Sequence, residues 1–445
     1  MKKNKVITLI TIIAVIAIAA ILLGVNYLMG AYVPNMIRST MEAPEESGIC
    51  GKNLEWYYKE GILVVTGTGE MDEYKHYTTT GKPPWYSLQN QIGCVILDEG
   101  VTSIGAAAFD YCGSMKEIVL PSSLTCIGDW AFWKCSSLRE IILPSSLTCI
   151  GENAFACCSS LGEIILPDSL TIINEGVFHD CRGLRDIVIP NGVTSIGKRA
   201  FSGCSSLTEI TIPGSVTDIG NFAFNECHSL TKIMIPDSVT SIGLGAFWDC
   251  SGLMEITIPD GAIASIGTGA LAGCNWLTEI TIPEGIMSIG NAAFENCQNL
   301  TEITLPNTIN SIGNSAFYEC RSLTKITIPD SVTSIGDRAF YYCDSLTEIA
   351  IPDSVTSIGD EAFYFCYSLT KITIPDSVTD IGDSAFKDCS ALAEITIPDS
   401  VTSIGDGVFD GCRDMIIYYS NDVLESYIDS ASDRWSAQNI VWVKQ

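Results

Sequence analysis

A single spacing rules this chain. Cysteine falls at 112, 135, 158, 181, 204, 227 and 250, and again at 274, 297, 320, 343, 366, 389 and 412, in steps of 23 residues with one step of 24. Proline keeps the same register from Pro121 to Pro398, and the remaining prolines lie outside the repeats. The extra residue falls between Pro259 and Gly267. A fixed period in the twenties is the signature of a solenoid, in which each coil covers the apolar face of the next. One array therefore fills the space that 445 residues would otherwise divide among two or three ordinary domains.

Within the unit, Leu346, Ile349 and Ile351 keep an L-x-x-L-x-L spacing. Alternation over Glu348 to Ile351 predicts a short parallel strand with Ile349 and Ile351 inward. Pro352 cannot donate to a ladder and ends it. A glycine column comes next, interrupted only by Asn174, and is expected to adopt positive φ. Asp360-Glu361-Ala362-Phe363 is expected to form a short helical turn with its acids at the positive end. The Phe column, interrupted by Leu271, is expected to stack as an inward spine, each ring contributing about 1.5–3 kcal/mol by burial.

Composition narrows the function. Lys and Arg number 24 against 52 Asp and Glu, for a net charge of −28. That balance excludes a general affinity for nucleic acid, which needs clustered cations. The three histidines, His76, His179 and His228, are far apart in the chain, and no G-x-S-x-G elbow with a usable His is present, so the chain reads as non-catalytic and without cofactor. At the N-terminus, three lysines within residues 1–5 precede an uncharged stretch over 6–29. As a helix it would extend about 36 Å, enough to cross a membrane. It reads either as a signal-anchor or as a cleaved signal; both place the chain beyond about residue 30 outside the cell. Residues 30–47 read as a linker, 48–91 as an N-terminal β cap, 92–414 as repeats and 415–445 as a C-terminal cap.

Nineteen cysteines outside the cell would ordinarily suggest disulfides. Stacked columns argue otherwise, because parallel side chains about 4.8 Å apart do not converge as a bridge requires. The column is expected to be buried thiols, and Cys126 and Cys149, in a column of their own, are expected to be unbridged. Cys50 and Cys94 lie off the column, and a bridge between them is expected to pin the cap to the first coil. No metal is expected, since identical stacked columns do not build tetrahedra.

The unit Ile-Pro-Asp-Ser-Val-Thr-Ser-Ile-Gly-x-x-Ala-Phe-x-x-Cys, the Cys50-Gly51 to Trp56 opening, the Gly67-Thr68-Gly69-Glu70-Met71 turn and Pro84-Trp85-Tyr86 resemble BspA-like leucine-rich-repeat surface proteins over residues 48 to about 440. The resemblance implies an α/β-type solenoid, a leucine-rich-repeat array of about 14 coils of 23 residues with parallel strands and short helical turns, capped at both ends. It also implies a surface-exposed protein that adheres to host, matrix or cell-surface ligands.

Two surfaces are candidates. On the outward, concave strand face an acidic row (Glu117, Glu140, Glu163, Asp186, Glu209) runs beside an apolar stripe of Ile96, Val119, Ile142, Ile165 and Val188, where later coils mostly place Thr. Exposed contiguous apolar surface tends to mark an interaction site. On the turn side, Tyr318, Tyr341, Tyr342, Tyr364, Phe365 and Tyr367 occupy positions not needed by the core columns, and such residues are enriched in binding cores. The leading reading is a membrane-tethered, non-catalytic module for an extracellular protein or cell-surface ligand. The alternative is a self-associating structural surface protein held by cation-dependent contacts.

Overall fold

The structure is a computed structural model that describes residues 44–76, 80–260, 263–420, 424–425, 427 and 439–444. The stretch over 6–29 and most of the segment after Val423 lie outside the described residues. Among the described residues no helix is long and apolar enough to cross a membrane. The chain divides into two units, Met1–Leu170 and Thr171–Gln445.

The first unit opens on β1 (Glu46–Gly51), β2 (Leu54–Lys59) and β3 (Ile62–Gly67), an antiparallel meander. Alternation decides its faces: Leu54, Trp56 and Tyr58 point into the core while Glu55 is exposed. After the short strand β4 (Gly69–Glu70), β5 (Cys94–Leu97) adds in parallel to β3. The first coil then continues through β6 (Val101–Ile104), and the next begins with β7 (Glu117–Val119), which pairs with β5. In both units every coil repeats this plan. A short strand such as Glu140–Ile142 faces out, and a second strand such as Cys149–Ile150 lies across the core from it.

The core is a spine of rings. In the first unit Trp85, Phe109, Phe132 and Phe155 stack with centroids 5.5, 5.6 and 5.2 Å apart. Trp85 closes this end, donating from Nε1 to the Ala108 carbonyl at 2.8 Å. In the second unit the same column runs from Phe178 to Phe247, passes Leu271, and resumes from Phe294 to Phe409. There Trp442, on a strand (Val441–Lys444) parallel to Ile416–Tyr419, meets Phe409 edge-on at 6.1 Å. An indole thus covers the apolar face that a solenoid would otherwise leave open at its end.

The third edge of each coil departs from the expected helical turn. Glu361 and Phe365 have φ of 54° and 62°, which no α-helix accommodates. The N–H groups of Glu361, Phe363 and Phe365 donate outward to Asp383, Ala385 and Lys387 of the next coil, at 2.7, 2.8 and 3.0 Å. The turn is a third inter-coil ladder, and it satisfies backbone groups that a single isolated helical turn would leave unpaired.

The glycine column also has a different cause from the expected one. None of its members from Gly105 to Gly405, nor Asn174, has positive φ. The constraint is close approach instead. A Cβ on Gly359 would lie 2.6 Å from the Asp337 nitrogen and 2.7 Å from the Gly336 carbonyl carbon. The coils loosen where the extra residue falls. The amide bonds from Gly243 to Ile219 and from Gly290 to Ile266, both 2.8 Å, have no counterpart between Gly267 and Ile242. A Cβ on Gly267 would meet nothing nearer than the Ile242 oxygen at 3.4 Å.

The cysteine column is a hydrogen-bonded one. The Cys135 thiol donates to the Phe109 carbonyl at 3.2 Å, and Cys343 and Cys366 repeat the contact with Phe317 and Phe340 at 3.3 and 3.2 Å. Burial pushes the Cys297 thiol up to about 12 and Cys135 well above its usual range, so these thiols are inert. No disulfide joins any two of the cysteines in this structure.

The expected Cys50–Cys94 bridge is not formed. Cys50 lies inward at the Leu54 end of β1, whereas Cys94 is paired with Ile62 at the far end of β3. Three strand steps, about 14 Å at the usual spacing, separate them, and a disulfide needs Cα atoms within about 7 Å.

Candidate functional site

The outward strand face is built by register. In the first unit Glu163 lies beside Glu140 and Ile165 beside Ile142, with Glu117 and Val119 on the preceding coil's β7. The inward neighbours Ile118, Ile141 and Ile164 anchor these strands in the core, so the outward side chains are held in place without being covered. Exposure grows along the stripe. Ile96 is buried, contrary to expectation, because β3 lies beside it and sets Val64 next to it. Val119 is half-buried, Ile142 is 50% exposed and Ile165 81%. Glu117, Glu140 and Glu163 are all exposed beside them.

In the second unit Asp186 and Val188 pair with Glu209 and Thr211; Val188 is 76% exposed. Beyond them Lys232 neutralises Glu255 through an exposed bridge of 2.7 Å. Alongside, Glu209, Lys232, Met234, Pro236, Asp237 and Pro259 line a groove of about 830 Å³. Met234, 60% exposed, stands where the unit usually has Thr, a signal available in the sequence. The groove itself is a product of the stacking.

The aromatic residues also come together in the second unit. Tyr318 stacks on Tyr341 at 4.8 Å, Tyr342 on Phe365 at 4.3 Å and Tyr364 on Phe365 at 4.0 Å. Tyr367, 41% exposed, leans on Phe365. The Arg321 guanidinium sits 4.9 Å from the Tyr342 ring and the Lys387 ammonium 5.0 Å from Tyr364. The rings pack on one another by face and by edge, and each stays partly open to solvent.

A leucine-rich-repeat model described as a BspA type leucine rich repeat region matches residues 86–204, 171–301 and 287–416, well over half of the chain. The chain belongs to the BspA-type leucine-rich-repeat family. A leucine-rich repeat protein from Bacteroides ovatus is 26% identical, with 89% of this chain and all of that one aligned at a TM-score of 0.65. A leucine rich cell surface protein from Faecalibacterium prausnitzii is 28% identical over 81% of this chain and 95% of its own, at a TM-score of 0.45. No curated protein matches. This is a repeat protein of the kind that mediates protein–protein or surface interactions, non-catalytic in character.

One cluster in this BspA-type protein went unseen in the sequence. His76, Asp110 and Lys82 converge at the N-terminal end of the first unit. His76 Nδ1 lies 3.1 Å from Asp110 Oδ2, and Lys82 Nζ donates to the same oxygen at 3.3 Å. The His76 ring stacks on Trp130 at 5.3 Å and meets Trp133 edge-on at 4.2 Å, with Lys134 over Trp133. Only the paired large residues Trp130 and Trp133 in one coil hinted at it, since His76 precedes the repeats.

Burial holds the His76 imidazole below its ordinary value near 6.5; Asp110 opposes this shift, while Lys82 and Lys134 reinforce it. The folded state then binds a proton less readily than the unfolded one. Stability from this site is therefore complete above about pH 6.5 and is lost as pH falls through the depressed folded value. Urea unfolding is expected to show a midpoint that drops between pH 7.5 and 5.5, and His76→Gln is expected to flatten that dependence. An unchanged slope in the variant would contradict it.

Proposed function

We propose that this protein is displayed outside the cell, tethered through residues 6–29, and that it adheres to an extracellular protein or cell-surface ligand through its outward strand face. The observation that carries the reading is the pair Ile142 and Ile165, half to four-fifths exposed on adjacent strands. Branched aliphatic side chains held this way expose apolar area that a partner would remove from water at about 25 cal/mol per Å². The flanking Glu117, Glu140 and Glu163 repel one another, so a basic rim on the partner is favoured and attachment weakens with salt. The test is attachment of cells displaying the full chain. Ile142→Glu with Ile165→Glu is expected to lower attachment at least tenfold at equal surface display; unchanged attachment sinks the strand-face reading.

The aromatic patch supports a second contact surface on the same module. Tyr342 and Phe365 stand at the positive-φ turn position that Lys134, Asp249 and Asp388 fill in other coils, so the turn itself does not call for aromatic side chains there. Tyr341→Ser, Tyr342→Ser and Tyr364→Ser together separate the two surfaces: a loss only here moves the principal contact to the turn side.

A further inference from the structure

The cysteines of this chain divide by environment. Column thiols such as Cys135 and Cys343 are buried and committed to carbonyls. Cys126 and Cys149 are neither. They pair directly across two parallel strands, Cys126–Ile127 and Cys149–Ile150, in register. Cys149 is exposed and Cys126 half-buried. The same column holds Ser103 on the preceding coil and Ser195, Ser241 or Ser288 on later ones, so neither position requires sulfur for packing. Two thiols on one open face, on adjacent coils, are the feature that serine does not reproduce.

Their spacing selects the ligand. Parallel neighbours are about 4.8 Å apart. A disulfide needs Cβ atoms near 3.8 Å and converging, whereas side chains on parallel neighbours stand side by side, and these two thiols meet as hydrogen-bond partners. A two-coordinate thiolate complex, with metal–sulfur bonds of about 2.3 Å as for Zn–S, places its sulfurs on the order of 4.6 Å apart when linear. That span is close to the spacing of the two strands. Among the described residues no three or more His, Cys, Asp or Glu gather as a ligand set, so a tetrahedral Zn²⁺ site is not built here. Soft thiolates favour Cu(I), a d¹⁰ ion content with two ligands. Glu73 and Asp129 lie close enough to Cys126 to act on its charge, and their carboxylates attract a cation.

We propose that Cys126 and Cys149 form a surface dithiol that captures one Cu(I) ion as a linear bis-thiolate. Each thiol releases its proton to solvent as a copper–sulfur bond forms; the copper remains Cu(I), and no electron changes hands. Both ligands bind as thiolates, so capture releases protons and tightens as pH rises.

The test uses the reduced full chain under anaerobic conditions, competing for Cu(I) against a chromophoric Cu(I) chelator. The wild type is expected to withdraw one equivalent more than a Cys126→Ser/Cys149→Ser variant, and each single substitution to weaken capture at least tenfold. The affinity is expected to rise between pH 6 and pH 8. Serine already occupies this column elsewhere, so the variants retain the fold, which unchanged circular dichroism and thermal unfolding confirm. Equal capture by the double variant overturns the proposal. So does peptide mapping of non-reduced protein that finds these two residues already joined to each other.

Discussion

Phe340→Ala is expected to destabilise the second unit by about 3–5 kcal/mol, the usual cost of emptying a buried aromatic site. Phe340 is fully buried between Phe317 and Phe363, with both centroids 5.3 Å away. Its neighbours lie on rigid strands above and below, so collapse into the hole is limited. The column supplies its own reference. Leu271 stands in it naturally, beside a void of about 10 Å³ lined by Phe247, Ile256, Ile266 and Ala270. Phe340→Leu copies that coil and is expected to cost about 1 kcal/mol. Arrays of coils need not unfold in one step, so the measurement is denaturant unfolding together with amide exchange of the flanking coils. The aromatic patch shares this coil: Tyr341 and Tyr342 come directly after Phe340. The alanine variant should therefore also loosen the Tyr342–Phe365 stack, visible as faster exchange at Tyr342.

Gly359→Ala and Gly267→Ala are expected to move stability in opposite directions. At Gly359 the added methyl would sit 2.6 Å from the Asp337 nitrogen and side-chain oxygen. Neither can retreat, because Asp337 Oδ1 accepts the Asp360 N–H at 3.0 Å and the Gly359 N–H is bonded to Ile335. Overpacking against backbone costs about 1–3 kcal/mol and sometimes more; this site belongs at the upper end. At Gly267 the coils stand farther apart and φ is ordinary. Alanine there removes freedom from the unfolded chain and is expected to add about 0.4–1 kcal/mol. Thermal unfolding of the two variants decides it: equal losses at both positions would mean that the column needs glycine for a reason other than close approach.

The loosened coil and the groove both lie in the second unit, and both arise from small departures from the repeat. Met234 for Thr opens apolar surface on the strand face, and one extra residue after Pro259 interrupts the second-strand ladder. In a structure made of identical coils, a substitution in one coil is displayed at a known place on the surface. Binding specificity can therefore change one coil at a time while the spine is kept.

The period, the inward Leu and Ile positions, the Phe spine and the thiol column were legible in the amino-acid order, because stacking identical coils forces like onto like. The same logic placed Ile142, Ile165 and Val188 outward. What it left open depends on distances between coils that no single unit contains. The glycine column reads as a φ requirement until neighbouring backbones are seen within 3 Å of a would-be methyl. The Asp-x-Ala-Phe segment reads as a helix until its amides are seen to bond outward to the next coil. Ile96 reads as exposed until β3 is found beside it, and Cys50 and Cys94 read as partners until register sets them on opposite ends of the meander. Local pattern determines which face each side chain takes. How close the coils approach, and what the non-repeating cap covers, is decided only when the chain packs, because those contacts join residues whose order in the sequence carries no period.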